Sequence, residues 1–403
     1  MNMNRWTSAL VSAGVVSTAA LLQAEEAAQH PVVSALQSTT LSGYVNTSAL
    51  VRIGEDENVF GRSYDRKDKH NGFNLDVVSL ALEKPLDESD WSAGYRAQLL
   101  FGPDANRLGS LLPLDSSSDS SSDSSSDSSS GYFAIKNAYV SLRAPLGRGL
   151  KLKMGVWDTI MGYEVFDAGN NPNYSRSFGF YLEPIIHTGL LATYDFAEWL
   201  TVNAGIANGI EDRAAFNKIN SRADRGGSWD FKELSYVGSV VLTAPESLGF
   251  LQGATLYGGI MYGGFGQDDF GGNDIINYYA GATLPTPAKA VTLGAAYDYQ
   301  ANGLFDNSYA NAIAGYLSFQ LTEKLKLNAR GEYATGSPGA FDVSTGERVE
   351  LLGVTGTLDY ALWAQAITRL ECRWDHDLSN NEIYGPNDKN DAVSLALNVI
   401  FKY

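Results

Sequence analysis

The sequence is poor in several features that define common classes of protein. Its 403 residues include one cysteine, Cys372, and four histidines, which excludes a disulfide framework and a cysteine-rich zinc site. Beyond the N-terminus, no apolar run approaches the roughly 18 residues that a membrane-spanning helix needs. Lysine and arginine total 29 against 46 aspartates and glutamates, a net charge of −17. This acidic balance argues against a nucleic-acid partner.

The first 24 residues have the composition of a secretory signal peptide. Arg5 is followed by a short apolar stretch at 9–22, and Ala24 stands before two glutamates, as in a cleavable leader. A buried helix is the alternative interpretation. We predict that residues 1–24 direct export and that residues 25–39 form a polar periplasmic lead-in.

From residue 40 onward, apolar and polar side chains alternate with the period of two that is typical of β-strands. A soluble β-sandwich also alternates, but these segments are about 10–15 residues long, whereas strands of globular proteins average five or six. We identify sixteen segments, at 40–53, 73–84, 91–101, 132–144, 149–158, 186–196, 200–209, 233–244, 251–265, 274–284, 290–300, 309–321, 324–336, 347–359, 363–376 and 391–403.

The connections between these segments fall into two groups. Those after even-numbered strands have about two to six residues, and those after odd-numbered strands have about 8 to 30. This alternation is typical of a transmembrane barrel with short periplasmic turns and long extracellular loops. Because a sheet in lipid cannot leave its edges unpaired, the strands must close into a ring. We predict an all-β, antiparallel, up-and-down transmembrane barrel of about 16 strands over residues 40–403, enclosing an aqueous channel.

Two of the long loops differ in composition. Residues 115–130 repeat one Asp followed by three Ser, a low-complexity tract that favours a solvated flexible tether. A calcium-binding or surface-shielding loop is the functional alternative. Residues 159–185 are instead rich in aromatic and turn-forming residues, and so long an irregular connection is usually functional. We predict that this segment folds into the barrel as a constriction loop.

Several motifs resemble those of the putative beta-barrel porin-2 family of bacterial outer membranes. They are Leu41-Ser42-Gly43-Tyr44-Val45, Leu80-Ala81-Leu82-Glu83-Lys84-Pro85, Phe101-Gly102-Pro103, Ala138-Tyr139-Val140, Ala144-Pro145-Leu146-Gly147, Gly155-Val156-Trp157-Asp158-Thr159, Asn171-Pro172-Asn173-Tyr174-Ser175-Arg176-Ser177, His187-Thr188-Gly189 and Asn208-Gly209. The resemblance covers nearly the whole chain after the leader. It implies an outer-membrane porin without catalytic residues and leaves the substrate open. The Ser/Asp repeat departs from the family pattern as an apparent insertion.

If the polar rows of the strands face the lumen, basic groups lie along one contiguous half of the ring. The candidate channel-lining residues are Arg96, Lys153, Arg330, Glu332, Arg369, Glu371 and Arg373. The candidate constriction-loop residues are Asp158, Glu164, Asp167, Asn171, Asn173, Tyr174 and Arg176. A basic wall facing acidic groups would create a transverse field that orients polar solutes. The alternative is that these are ordinary hydrated side chains, partly paired with their neighbours.

These patterns predict a porin of the bacterial outer membrane that passes small hydrophilic solutes or ions by passive diffusion. We predict no enzymatic activity, cofactor or metal site, because no Gly-x-Ser-x-Gly elbow lies near the histidines and no phosphate loop occurs. The alternatives are a non-conducting receptor or adhesion barrel and, more remotely, an outer-membrane hydrolase. The expected partners are outer-membrane lipid, the solutes and, by analogy with other porins of this size, two further copies in a homotrimer.

Overall fold

The computed structural model describes residues 38–53, 59–65, 69, 71–108, 132–208, 234–263, 274–343, 345–384 and 390–403. The predicted signal peptide, nearly all of the lead-in and the Ser/Asp repeat lie outside these residues. Within them, no helix is long and apolar enough to cross a membrane.

The described residues form 16 β-strands in one closed antiparallel barrel. The strands are β1 (Thr40–Ile53), β2 (Gly72–Lys84), β3 (Ser92–Phe101), β4 (Phe133–Ala144), β5 (Leu150–Asp158), β6 (Ile186–Ala197), β7 (Leu200–Ala207), β8 (Ser235–Thr243), β9 (Thr255–Gly263), β10 (Ile275–Pro285), β11 (Val291–Ala301), β12 (Tyr309–Gln320), β13 (Leu325–Gly336), β14 (Val349–Trp363), β15 (Ala366–Asp377) and β16 (Asp391–Lys402). Each strand pairs with its sequence neighbours, and β1 pairs with β16 to close the ring. The predicted fold class is confirmed.

The predicted strand boundaries differ most at β9 and β14. Strand β9 begins at Thr255 rather than at residue 251, because residues 246–251 form a 3-10 helix. Strand β14 continues to Trp363, four residues beyond its predicted end, and leaves only 364–365 as the turn to β15. We call the end of the barrel that carries such turns the short-turn end, and the opposite end the long-loop end.

The two faces of each strand meet different surroundings, as strand β16 illustrates. Its outward row is apolar and exposed, with Leu397 49% accessible, whereas Ser394 and Asn398 of the inward row are buried. Since neighbouring side chains of a strand point to opposite faces, the barrel presents an apolar exterior and a polar interior wall. This is the arrangement of a barrel in lipid.

The interior of the barrel contains residues 159–185, which we call the inner segment. It includes a 3-10 helix at Ala168–Asn170 and one short helix, α1 (Phe178–Leu182). Ser177 caps α1, since its Oγ accepts a hydrogen bond from the Phe180 N–H at 3.1 Å. The helix ends at Leu182 because Glu183 precedes a proline and adopts the extended backbone that this position favours.

Apolar side chains of the inner segment form part of the core, which therefore lies inside the barrel. Phe166 and Phe180 pack with residues of β1–β6, Met161 packs with β5–β12, and Phe178 and Leu182 pack with β12–β14. The segment is thus in contact with most of the ring.

Candidate functional site

The inner segment crosses the lumen. The ring of Tyr163 stacks on Tyr316 of β12, with centroids 4.1 Å apart. Four residues later, Asp167 Oδ2 lies 3.5 Å from Lys136 Nζ of β4. Strands β4 and β12 are eight positions apart in the ring of sixteen and so lie on opposite sides of it. The chain between Tyr163 and Asp167 therefore runs from one wall to the other.

Arg330 of β13 is the most extensively bonded side chain between the wall and the segment. It is 1% exposed. Its Nη1 lies 2.9 Å from Glu164 Oε1, and its Nε lies 2.9 Å from Glu332 Oε1. It also donates to the carbonyl oxygens of Ser175, at 2.8 Å, and Arg176, at 3.2 Å. The guanidinium thus joins one carboxylate of the segment to one of the wall.

Two wall carboxylates accept hydrogen bonds from backbone N–H groups of the inner segment. Glu371 of β15 accepts from the N–H groups of Tyr174, at 2.6 Å, and Ser175, at 2.9 Å. Glu332 of β13 accepts from the N–H of Phe178 at 2.6 Å. Because a buried irregular backbone must satisfy its polar groups, these carboxylates stabilise the course of the chain before α1.

Two further arginines of the wall satisfy backbone carbonyls. Arg369 donates from Nη1 to the oxygen of Ala168 and from Nη2 to that of Asn171, both at 2.8 Å. Arg373 donates to the oxygen of Arg176 at 2.5 Å. Both arginines are at most 2% exposed. Their charges therefore act on the inner segment and on neighbouring wall carboxylates rather than on bulk water.

Two side chains hold the inner segment together internally. Asn171 accepts from the N–H of Val165 at 2.7 Å and donates to its carbonyl at 2.8 Å. Arg176 donates to the carbonyls of Tyr174 and Phe166, both at 2.8 Å. The segment is consequently a folded unit with its own hydrogen bonds.

The acidic residues Asp158 and Asp167 share one cation. Lys136 Nζ of β4 lies 2.8 Å from Asp158 Oδ1, and Asp167 Oδ1 also accepts from Tyr44 at 3.0 Å and Gln98 at 3.1 Å. Burial raises the pKa of Asp167, but Lys136 and these donors outweigh it and hold the pKa below its usual range. Asp167 is therefore ionised at neutral pH.

The remaining predicted residues of the segment also contact the wall. Asn173 Nδ2 donates to Thr357 Oγ1 at 2.7 Å, and Tyr174 Oη donates to Ser48 Oγ at 3.0 Å. All seven candidate residues of this group thus lie in one hydrogen-bonded layer across the barrel. Of the seven wall candidates, the five on β13 and β15 contact this layer, and Arg96 and Lys153 do not.

Arg96 and Lys153 line open cavities at the short-turn end. Arg96 forms an ion pair with Glu83 and lines a cavity of about 290 Å³. Lys153 lines a larger cavity of about 700 Å³, bounded by β2–β6 and their turns. A third cavity, of about 530 Å³, lies between the inner segment and the β9–β15 wall. The short-turn side of the inner segment is therefore an open, polar vestibule.

Our sequence analysis did not identify a charged cluster at the long-loop end. Arg62, in the connection after β1, forms ion pairs with Asp65 and with Asp375 of β15. Lys69 Nζ lies 2.7 Å from Asp104 Oδ1, and burial raises the pKa of Asp104 to about 7 although Lys69 opposes the rise. The three-residue spacing from Arg62 to Asp65 was the only local signal for this cluster.

A buried pair of carboxyl groups was also absent from the residues predicted from the sequence. Glu183, directly after α1, interacts with Asp298 on β11, and both residues are less than 7% exposed. Burial holds the pKa of Glu183 well above its usual range. Asp298 and, more weakly, Glu164 add to this rise. These surroundings favour the uncharged form of Glu183. The pair joins the end of the inner segment to the wall opposite Lys136.

Comparisons with known proteins agree with this architecture. A family model described as "Putative beta-barrel porin-2, OmpL-like" matches residues 38–403. The outer membrane channel DcaP of Acinetobacter baumannii is similar over 91% of this chain and 97% of its own, at 12% identity and a TM-score of 0.56. The anion-selective porin from Comamonas acidovorans is similar over 91% and 99%, at 11% identity and a TM-score of 0.59.

A trimer form of OmpT, an outer membrane protein of Vibrio cholerae, is similar over 91% of this chain and 99% of its own, at 13% identity and a TM-score of 0.51. No curated protein matches the chain. At these identities the solved structures show a shared fold.

Proposed function

Because the chain belongs to the putative beta-barrel porin-2 family, we propose that it is an outer-membrane porin through which small hydrophilic solutes or ions diffuse passively. The observation that carries this proposal is the polar vestibule of about 700 Å³ inside an apolar-faced closed barrel. Charged side chains that line a water-accessible cavity suit the passage of polar solutes.

The inner segment is proposed to be the constriction of this channel. Its course from β4 to β12 supports this role, because a chain that crosses the lumen limits the width of any path beside it. The short-turn end is proposed to face the periplasm, and residues 1–24 to direct export. These assignments follow the usual arrangement of bacterial outer-membrane barrels.

Planar-bilayer recording and liposome swelling test the proposed function. The purified, folded protein should produce stepwise conductance, and vesicles that contain it should swell in sugars at a rate that falls steeply with sugar size. Folded protein that gives neither conductance nor swelling would favour the non-conducting receptor. Hydrolysis of phospholipid or ester substrates by the same sample would favour the outer-membrane hydrolase.

The lipid-facing exterior leads to a depth-dependent prediction. Leu397 lies in the middle of β16 and faces outward, and Leu146 lies in the turn between β4 and β5. Leu397→Arg should lower the free energy of unfolding in phospholipid vesicles by about 2–4 kcal/mol, and Leu146→Arg by about 0–1 kcal/mol. Denaturant titrations of vesicle-inserted protein measure both values. Equal costs at the two positions would contradict a membrane-embedded β16.

A homotrimer is proposed by analogy of fold alone, since the similar OmpT barrel is described in a trimer form. Light scattering of the detergent-solubilised protein would give the mass of the assembly. A mass of one chain per particle would exclude the trimer.

A further inference from the structure

The vestibule cavity of about 700 Å³ contains a lysine that forms no ion pair with a described carboxylate. Lys151 on its rim lies 2.9 Å from Asp195. Lys153, two residues further along β5, has its Nζ 5.0 Å above the ring centre of Tyr139. In the part of the chain that the structure describes, Lys153 has no carboxylate within 4.0 Å. Its ammonium group is therefore an available hydrogen-bond donor on the lumen wall.

Two hydroxyl groups lie beside this ammonium group. Ser141 of β4 is paired directly with Lys153 in the β4–β5 register, and Tyr139 precedes it by two residues on the same face. All three side chains line the same cavity. Among the described residues, neither hydroxyl has a hydrogen-bond partner. One ammonium group and two hydroxyl groups thus face one water-filled space.

We propose that Lys153, Tyr139 and Ser141 form a binding site for a small hydrophilic oxyanion, a carboxylate or a phosphate, that enters from the short-turn end. The inference rests on the proposed function and adds the class of solute. An ammonium charge held at a low-dielectric wall attracts an oxyanion more strongly than it would in water, and hydroxyl groups supply further donors to its oxygens.

The neighbouring acids keep this attraction moderate. Lys151 forms an ion pair with Asp195. Arg96, which is paired with Tyr139 in the β3–β4 register, forms one with Glu83. Asp158 and Glu83 act on Lys153 from beyond ion-pair distance. The site therefore favours an anion without the strong binding that several adjacent unpaired cations would give. Passage through a channel requires such intermediate affinity, because a solute that binds too tightly does not leave.

Charge-matched variants in planar bilayers test the site. Inorganic phosphate or acetate is added on the short-turn side at constant pH and ionic strength, and the block of the chloride current is titrated. Lys153→Gln should weaken the block by about tenfold, which corresponds to about 1.4 kcal/mol. Tyr139→Phe removes only a hydroxyl and should weaken the block by about threefold.

Lys326→Gln is the matched control. Lys326 is a half-buried lysine of β13 that lines the separate 530 Å³ cavity and, among the described residues, has no ion pair. Its replacement removes the same charge from the lumen and should leave the block unchanged. An equal loss in both lysine variants, or no loss in Lys153→Gln, would overturn the site while leaving the porin intact. Absence of any current in the unaltered protein would instead overturn the proposed function.

The two anions distinguish the source of the ligand. Block by phosphate alone would identify a phosphate-bearing solute, and block by acetate alone a carboxylate. Either result supports the site when it depends on Lys153. Block by neither anion, in a protein that conducts chloride, would overturn it.

Discussion

Replacing Arg330 with methionine is expected to release the inner segment from the wall and to raise the single-channel conductance. Arg330 is 1% exposed and lies 2.9 Å from both Glu164 and Glu332. Removing it leaves the buried Glu164 carboxylate without its cation, whereas Glu332 keeps Arg373 at 3.3 Å. Leaving one buried charge unpaired costs about 3–5 kcal/mol in other buried ion pairs. This would shift the balance between docked and undocked segment by on the order of a hundredfold or more.

Two measurements detect the release of the segment. The variant should show larger and noisier current steps, and chymotrypsin should cut it within the inner segment, where Tyr163 and Tyr174 supply aromatic cleavage sites. Both effects require that the segment leaves the wall while the barrel stays closed. Retained heat-modifiable mobility on gels would show that the barrel is intact.

A control on the same strand and a second-site change make the Arg330 result interpretable. Lys326→Met removes a cation of β13 that has no ion pair among the described residues, so it should leave the cleavage pattern unchanged. Adding Glu164→Gln to the Arg330 variant removes one uncompensated charge and should restore part of the protection. An Arg330→Met protein with unaltered conductance and unaltered cleavage would show that the ion pairs do not hold the segment.

The strands could be predicted from the sequence because each one meets two different environments. In β16, large apolar residues alternate with Ser394 and Asn398. This alternation predicts both the strand and which of its faces points inward. The pattern fails before β9. Leu251, predicted to begin the strand, is instead the last residue of a 3-10 helix, and β9 begins at Thr255. Hydrophobic spacing alone does not distinguish an apolar turn from the start of a strand.

The candidate site could be predicted only in part. Alternation places Arg330, Arg369 and Arg373 on the inward face, but it carries no information about what covers them. Their burial depends on the inner segment, whose backbone supplies carbonyl oxygens to all three arginines. The Glu183–Asp298 contact joins distant parts of the chain, and neither residue stands in a local motif. Such contacts follow from the path of the segment and not from spacing.

Raising the pH from about 5 to 9 is expected to loosen the end of the inner segment through Glu183. Its pKa is raised by burial and by Asp298 when the segment is docked. The stabilising contribution is therefore complete below the ordinary pKa of a glutamate and is lost as the pH rises through the raised value. Each unit of displacement corresponds to about 1.4 kcal/mol, a tenfold change in docking. Conductance and current noise should increase with pH.

Glu183→Gln should abolish most of this response, because the neutral amide donates to Asp298 at every pH. The other groups near Glu183 are Asp298 of β11, Glu164 of the segment itself and Tyr279 of β10. Asp104, whose pKa is about 7, lies at the long-loop end beside Lys69, so Asp104→Asn measures any separate contribution from that cluster. Recordings at pH 5, 7 and 9 compare the three proteins. If Glu183→Gln keeps the full response and Asp104→Asn loses it, the sensitivity belongs to the Lys69–Asp104 contact, and protonation of Glu183 has no part in holding the segment.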